Sequence, residues 1–301
     1  MIKRVTRRQF MGTAALASAS LTAPALAAAP NKKLVLLAGS PSHGPGEHEF
    51  NAGTKLLQKC LTGYEGLETS FHTGGWPKDE QVLESADAIL CFADGNARHP
   101  FVLANHLETL GKLMKKGTGL MCAHYGVEVP RDLGANEFRD WIGGCYEHMW
   151  SCNPKWTPEF KEFPKHPITR GVKPFAVLDE WYFNMRFRPE MKGVTPILSA
   201  TPSDAVRNGP YVYPKGPYAH IQDAKGRPEA MMWAVERPDG GRGVGFTGGH
   251  FHQNWGDENF RKVVLNALVW ICKLEVPAEG VASKVSPEDL KENLDPKPVK
   301  K

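Results

Sequence analysis

The chain has 301 residues, 41% of them hydrophobic and 23% charged, which excludes a disordered or fibrous protein and leaves enough chain to bury a large core. Its 37 lysines and arginines exceed its 33 acidic residues by four, and Lys3, Arg4, Arg7 and Arg8, in a leader without acids, supply the whole excess. The remainder is balanced and has no basic helix or stripe outside that leader and the C-terminal tail, so a nucleic-acid partner is disfavoured and a small, largely neutral one is favoured.

At the N-terminus, Thr6-Arg7-Arg8-Gln9-Phe10-Met11 precedes a weakly apolar Ala/Ser/Leu stretch and then Ala25-Leu26-Ala27. A charged start, an apolar stretch and a small-residue cleavage site make residues 1–29 a signal peptide. The paired arginines before Phe10 resemble a twin-arginine export signal of bacteria. A general secretory signal or a membrane anchor is the alternative, but a spanning helix needs ~20 strongly apolar residues, and no segment offers them. The expectation is a periplasmic or secreted protein without stable membrane insertion. In an oxidising compartment cysteines can pair. Cys60, Cys91, Cys122 and Cys272 sit in helix-like or strand-like apolar runs, leaving Cys145 and Cys152, in a polar and aromatic loop, as the pair placed for a bridge. There is no CxxC, which excludes a cysteine zinc knuckle.

Along the chain, Lys33–Ala38 is a short apolar run ending at Gly39, suited to a strand buried on both faces. Helical spacing predicts a helix over Phe50–Leu61, then strands at Leu67–Phe71 and Ala86–Phe92, a helix over Phe101–Lys116 stopped by Gly117, and a strand at Gly119–Ala123. This alternation implies an α/β fold, a doubly wound and mostly parallel sheet. From about 138 to 217 helical periodicity is lost and Pro, Trp, Tyr and Phe are dense, which reads as an aromatic-rich insertion of loops and antiparallel strands. Strands at Ala230–Val235 and Gly243–Gly248 and a helix over Asn259–Cys272 complete a domain spanning residues 30–276. Residues 277–301 are a polar, Lys/Pro-rich tail, wrapping or loose.

In open α/β sheets ligands bind beyond the carboxyl ends of the strands, so the loops there carry the chemistry. Ser42-His43-Gly44-Pro45-Gly46-Glu47-His48-Glu49 follows the first strand, His124-Tyr125-Gly126-Val127-Glu128 the fourth, and Gly249-His250-Phe251-His252-Gln253-Asn254-Trp255 the last. Eleven histidines in the whole chain would rarely fall this way by chance, and histidine supplies metal ligands or proton carriers near neutral pH. Each taken singly has a plain alternative: His48 capping a helix, His252 facing solvent. His148 is a reserve candidate. In Asp179–Phe187, read as a strand, Glu180, Tyr182, Asn184 and Arg186 share one face, and Asp179, Trp181, Phe183, Met185 and Phe187 the other. The polar face suits a polar ligand; an exposed edge strand is the alternative. Aromatics including Trp76, Trp150, Trp156, Tyr211, Tyr213 and Trp255 suit the stacking of sugar rings.

Four segments, GSPSHGPGEHEFNAG, GTGLMCAHYGVE, DEWYFNMRF and GRGVGFTGGHFHQNWGDENFRKVVLNALVW, together resemble the ThuA-like (trehalose-utilisation) family, over roughly Lys33 to Val281. That family is a branch of the class I glutamine amidotransferase-like superfamily, and the resemblance implies its flavodoxin-like sheet. The superfamily's nucleophile turn, Gly-x-Cys-x-x-His, is here Gly119-Leu120-Met121-Cys122-Ala123-His124. A thioether at Met121 cannot attack as a thiolate, and Cys122 would point to the other side of the strand, so glutaminase activity is not expected. This holds although His250 resembles the superfamily's triad histidine.

The resemblance implies carbohydrate catabolism alongside dehydrogenases that make 3-keto sugars. A ketone acidifies its neighbouring C–H, opening enolisation or isomerisation, or β-elimination of a glycosidic group, and each needs a base and an electrophile. The expected divalent metal, zinc or similar, is assigned to His43 or His48, to His250 and to Glu180, with His124 as a ligand or a catalytic residue. Glu128, His252, Tyr182 and Arg186 are the other catalytic candidates, and Asn184, Asn254, Trp255 and Trp76 the substrate-binding ones. No nucleotide cofactor is expected. The competing readings are a non-catalytic carbohydrate-binding or accessory protein, and a metal-dependent hydrolase of another substrate class. The three imidazoles favour an enzyme, because a sugar binder needs rings and amides more than histidines.

Overall fold

Short runs of aliphatic residues bounded by Gly and Asp punctuate the first half of the chain, and each becomes a buried strand in a computed structural model of the protein, which describes Met1 and residues 30–297. The signal peptide read over residues 1–29 and the last four residues of the tail lie, Met1 apart, outside the described residues. The order is β1 (Lys32–Ala38), α1 (Phe50–Leu61), β2 (Leu67–His72), α2 (Gln81–Glu84), β3 (Ala88–Phe92), α3 (His106–Lys115), β4 (Gly119–Ala123) and α4 (Ala135–Trp141). After α4 come six two-residue strands, β5 (Gly144–Cys145), β6 (Lys155–Trp156), β7 (Glu159–Phe160), β8 (Phe175–Ala176), β9 (Asp179–Glu180) and β10 (Arg186–Phe187). The chain continues with β11 (Val194–Ala200), α5 (Asp204–Arg207), α6 (Ala219–Gln222), β12 (Glu229–Glu236), β13 (Arg242–Phe246) and α7 (Glu258–Ile271). From Asn31 onward it packs as one unit.

Seven strands form one sheet in the order β11-β12-β13-β4-β3-β1-β2. The five strands from β2 to β13 are parallel, while β12 and β11 add an antiparallel edge. Alternation within each buried strand feeds two cores. Leu34, Leu36, Leu90, Phe92 and Met121 face α1 and α7, whereas Val35, Leu37, Ile89, Cys91 and Cys122 face α3 and α4. Each fully buried Leu or Phe contributes about 1.5–3 kcal/mol over the exposed state. With β1, β3, β4 and β13 parallel and adjacent, their carboxyl ends open on one edge of the sheet, and β1 and β3 flank the point where the strand order reverses.

The insertion is anchored by Trp181, which is fully buried with its ring 5.1–5.8 Å from those of Phe160, Phe246 and Phe260. Its bounds differ from those read in the sequence. Residues 138–141 end α4, and Val194–Ala200 pairs with β12 as a strand of the main sheet, because its apolar positions pack on the core although prolines interrupt the pattern. Nor is Asp179–Phe187 one strand. It is two short pairings, β9 with β6 and β10 with β5, separated by Asn184 at φ 56°, which breaks the alternation of faces. The bridge for which Cys145 and Cys152 were the placed pair is not formed. All six thiols are free, and these two lie in different cores, Cys145 opposite Arg186 in β10 and Cys152 opposite Phe183. The described part of the tail packs against α1 and the loop before it. Among the described residues no helix is long and apolar enough to cross a membrane.

Candidate metal centre

Three strand ends and the insertion bring four side chains to one point. His48 lies in the loop after β1, His124 directly follows β4, His250 follows β13, and Glu180 closes β9. All four are buried, and their nearest nitrogen or oxygen atoms lie within 4.8 Å of one another. The loops are zipped together. The His48 N–H donates to His250 O at 3.0 Å, the His252 N–H to Gly46 O at 2.9 Å, and Glu47 bridges to Phe251. His43, His48 and His124 have φ of 61°, 46° and 51°, left-handed backbone that costs a non-glycine residue on the order of 1–3 kcal/mol and persists only where its surroundings impose it. Gly249 at φ 111° gives the turn into His250 a conformation that side chains rarely adopt.

Outer partners fix which nitrogen of each ring points inward. The His124 Nδ1–H donates to Thr247 O at 2.9 Å, so Nε2 carries the lone pair. The His48 Nδ1–H donates to Asp94 Oδ1 at 3.3 Å, again leaving Nε2 as the lone-pair atom. These two Nε2 atoms face each other at 3.0 Å, and His250 Nδ1 lies 3.0 Å from His48 Nε2. Glu180 Oε2 is 2.7 Å from His250 Nδ1, while His250 Nε2 lies 3.1 Å from Glu47 Oε1 without a well-aligned hydrogen bond. Nitrogens of one tetrahedral zinc shell sit roughly 3.3 Å apart, close to these spacings. Three ring nitrogens converging on a carboxylate, with acceptors behind two of the rings, match a metal-ligand set and its supporting hydrogen bonds.

Electrostatics agree with that arrangement. Burial, and then the neighbouring imidazoles, hold His48 and His124 well below the ordinary histidine range, so both are neutral lone-pair donors at neutral pH. Burial also opposes charge on His250, but the Glu180 carboxylate outweighs it and raises this ring. Glu180 thus draws positive charge here, whether a proton on His250 or a metal ion. Despite its burial, Glu47 is brought down to about 2 by Lys155 and His250.

His48 and Glu180 of the four border a cavity of about 330 Å³, within the range of small-molecule pockets, and His124 and His250 lie behind them. Glu128 lines it, 6% exposed, and burial pushes its carboxyl up to about 7, against the hydrogen bond from Asn96 Nδ2 at 2.7 Å and with the help of Glu180. The Tyr182 hydroxyl lies 3.2 Å from His124 Nε2, and burial raises it well above the tyrosine range, so it remains a phenol. Tyr125 and Arg98 form a wall, and His148, Asn153, Val212 and the exposed Tyr213 the rim. His43 is on the cavity side, exposed, stacked on His48 at 3.6 Å and 3.8 Å from Asp94. It therefore belongs to a second group, His43, His48 and Asp94, rather than to the four ligands.

The structure does not bring the other sequence candidates to the cavity. His252 is buried beside Glu49 and Lys297, on the side of its loop that faces the tail. Arg186 is held by Glu147 through two 2.8 Å bonds and lies 3.7 Å over Trp150. Asn184 donates to Trp150 O and accepts from Arg227, and Asn254 donates to Leu178 O and Asp179. Trp255 is core, 1% exposed against Phe92 and Phe260, and Trp76 stacks on His106 and bonds Glu80. Met121 and Cys122 are fully buried on opposite faces of β4, and burial raises the Cys122 thiol well above its ordinary range. Two residues were given no role in the sequence. Asp94 follows β3 within an apparent turn. Asp179, fully buried, accepts from the N–H groups of Gly249, His250 and Phe251 at 2.8–3.3 Å and so fixes the His250 loop. A carboxylate opening an aromatic run was the available signal for the latter.

The family whose sequence pattern matches is ThuA, trehalose utilisation, over residues 36–271. A ThuA-like protein from Bacteroides uniformis is similar in structure at a TM-score of 0.56 and 15% identity, covering 81% of this chain and 93% of that one. A ThuA-like protein from Parabacteroides merdae matches at 0.54 and 14%, over 88% and 100%. A glutamine amidotransferase from Thermotoga maritima gives 0.47 and 8%, over 81% and 99%. No curated protein sequence matches the chain.

Proposed function

Because the chain belongs to the ThuA (trehalose utilisation) family, we propose that it is a carbohydrate-processing enzyme whose cavity binds a sugar against a divalent metal held by His48, His124, His250 and Glu180. The observation that carries this reading is the convergence of inward nitrogens from three rings, two of them lone-pair atoms fixed by outer acceptors, on one carboxylate. The donor set suits zinc or a similar ion. Such an ion, when bound, supplies an electrophile for a substrate carbonyl oxygen.

The chain's own residues do the rest. Glu128, titrating near 7, takes a proton from carbon next to a ketone and returns it, as an acid–base group does best when its pKa matches the working pH. Asn96 aims that carboxylate through its 2.7 Å bond. The Tyr182 phenol donates to developing negative charge on oxygen, and Tyr213 and His148 at the rim offer ring faces to a sugar. The substrate we favour is a 3-keto disaccharide or glycoside, with enolisation or β-elimination as the step and hydrolysis as the broader alternative. The charge pattern and Thr6–Met11 support export to the periplasm, which cell fractionation tests directly.

The assay offers 3-keto-trehalose and 3-keto-glucosides and follows loss of ketone or release of aglycone, with the unoxidised sugars as controls. Turnover of the keto sugars that disappears in His124→Ala and Glu128→Gln is expected. Saturable sugar binding with no turnover across the panel would instead identify a carbohydrate-binding accessory protein.

A further inference from the structure

The residues after α7 run back across the molecule and end against the loop that carries His48. Asp289 pairs with Lys59 at 2.6 Å, Lys55 donates to Asn293 Oδ1 at 3.0 Å, and Asn51 donates to Asp295 Oδ1 at 2.7 Å. The strap's last contacts are of another kind. The Asp295 N–H donates to Glu49 Oε2 at 2.9 Å, and the Lys297 ammonium lies 3.2 Å from Glu49 Oε1, both side chains of the pair being 2% exposed. The same ammonium donates to Glu47 O and, at 3.1 Å, to His48 O. Glu49 in turn accepts from the Gly46 N–H at 2.8 Å.

A surface tether needs no buried ammonium, and burying one is costly unless it is fully paired. Here it is paired with the carbonyls on both sides of a residue whose φ of 46° must be imposed from outside. His48 N–H is already bonded to His250 O. With both flanking carbonyls fixed, the imidazole has little freedom to swing its Nε2 away from His124 and Glu180.

We propose that the C-terminal strap, Asp289 to Lys297, positions the metal centre, with Lys297 and Glu49 as its positioning residues. This rests on the metal reading above. Strap docking and ion binding then reinforce each other by the same factor, since coupling between two binding events is reciprocal.

The test uses the full-length protein, with Zn²⁺ and Co²⁺ affinity measured by chelator competition at fixed pH. Lys297→Met should weaken binding by about ten-fold or more, as loss of an outer-shell partner does, and alter the Co²⁺ absorption bands. Lys297→Arg should restore most of the affinity, and Lys59→Met, which cuts an exposed tether, should leave it unchanged. Should Lys297→Met fail to fold, trypsin cleavage of the wild-type tail after Lys284 and Lys291 decides the question: Zn²⁺ is expected to slow it, and equal rates with and without the ion overturn the proposal. Wild-type affinity retained within two-fold by folded Lys297→Met overturns the strap's role alone. A wild-type protein that binds neither ion overturns the metal reading and this one with it.

Discussion

Replacing Glu128 with Gln isolates the consequence of burying a carboxyl beside the proposed site. The rise from an ordinary 4.5 to about 7 corresponds, at 1.36 kcal/mol per pH unit, to about 3 kcal/mol by which the folded protein disfavours ionisation. The group is only 6% exposed, so solvent screening removes little of this. Asn96 Nδ2 can donate to the Gln oxygen as it does to the carboxylate, and the other groups facing this position are Tyr125, Tyr146, Tyr182 and Glu180. Below pH ~4.5 the carboxyl is neutral in folded and unfolded chains alike, and Glu128→Gln should change stability little. Between pH 4.5 and 7 the unfolded chain ionises first, wild-type stability falls, and the deficit is complete above pH 7. Glu128→Gln should then be more stable than wild type by up to about 3 kcal/mol at pH 8, or roughly 6–10 °C in Tm for a chain of this size. Thermal unfolding of both proteins at pH 4.5 and pH 8, at one fixed metal content, measures it. A stability difference that is the same at both pH values would refute the buried, up-shifted carboxyl.

Further outcomes follow from other parts of the site. Wild-type turnover should rise with pH through about 7 as Glu128 ionises, and the pH–rate profile of Glu128→Gln should lose that limb with kcat down 10²- to 10⁴-fold. Asp94→Asn should weaken metal binding by about 10- to 100-fold in a chelator titration, because it loosens the partner that sets the His48 tautomer. Asp179→Ala strands the amides of Gly249 and His250 and should destabilise the fold by about 3–5 kcal/mol in urea unfolding. Trp255→Ala should cost about 3–5 kcal/mol as a core truncation, while Trp76→Ala should leave KM unchanged because its ring stacks on His106 outside the cavity.

The sheet was legible in the sequence because its strands are buried on both faces, so Lys33–Ala38 and Gly119–Ala123 stand out as unbroken apolar runs whose bounds the structure moves by at most one residue. The histidines of the centre were legible for a related reason: His48, His124 and His250 follow strands, and parallel strand ends converge. Alternation failed where the backbone leaves the extended region. Asn184 at φ 56° turns the chain, so Asn184 and Arg186 leave the side that Glu180 and Tyr182 present and serve Trp150, Arg227 and Glu147 instead. His250 and His252 are two residues apart, yet one turns to the ligands and the other toward the tail, a distinction set by Gly249 and the Asp179 anchor rather than by residue type. Contacts across long separations, such as Asp94 to His48 or Lys297 to Glu49, have no local signature at all.

Metal content is the sharpest test of the His48, His124, His250 and Glu180 centre. Protein purified without a histidine tag should carry about one divalent ion per chain, lose it in His124→Ala and His250→Ala, and regain sugar turnover when the stripped wild type is reloaded. A metal-free wild-type protein with full turnover would rule out a catalytic metal centre.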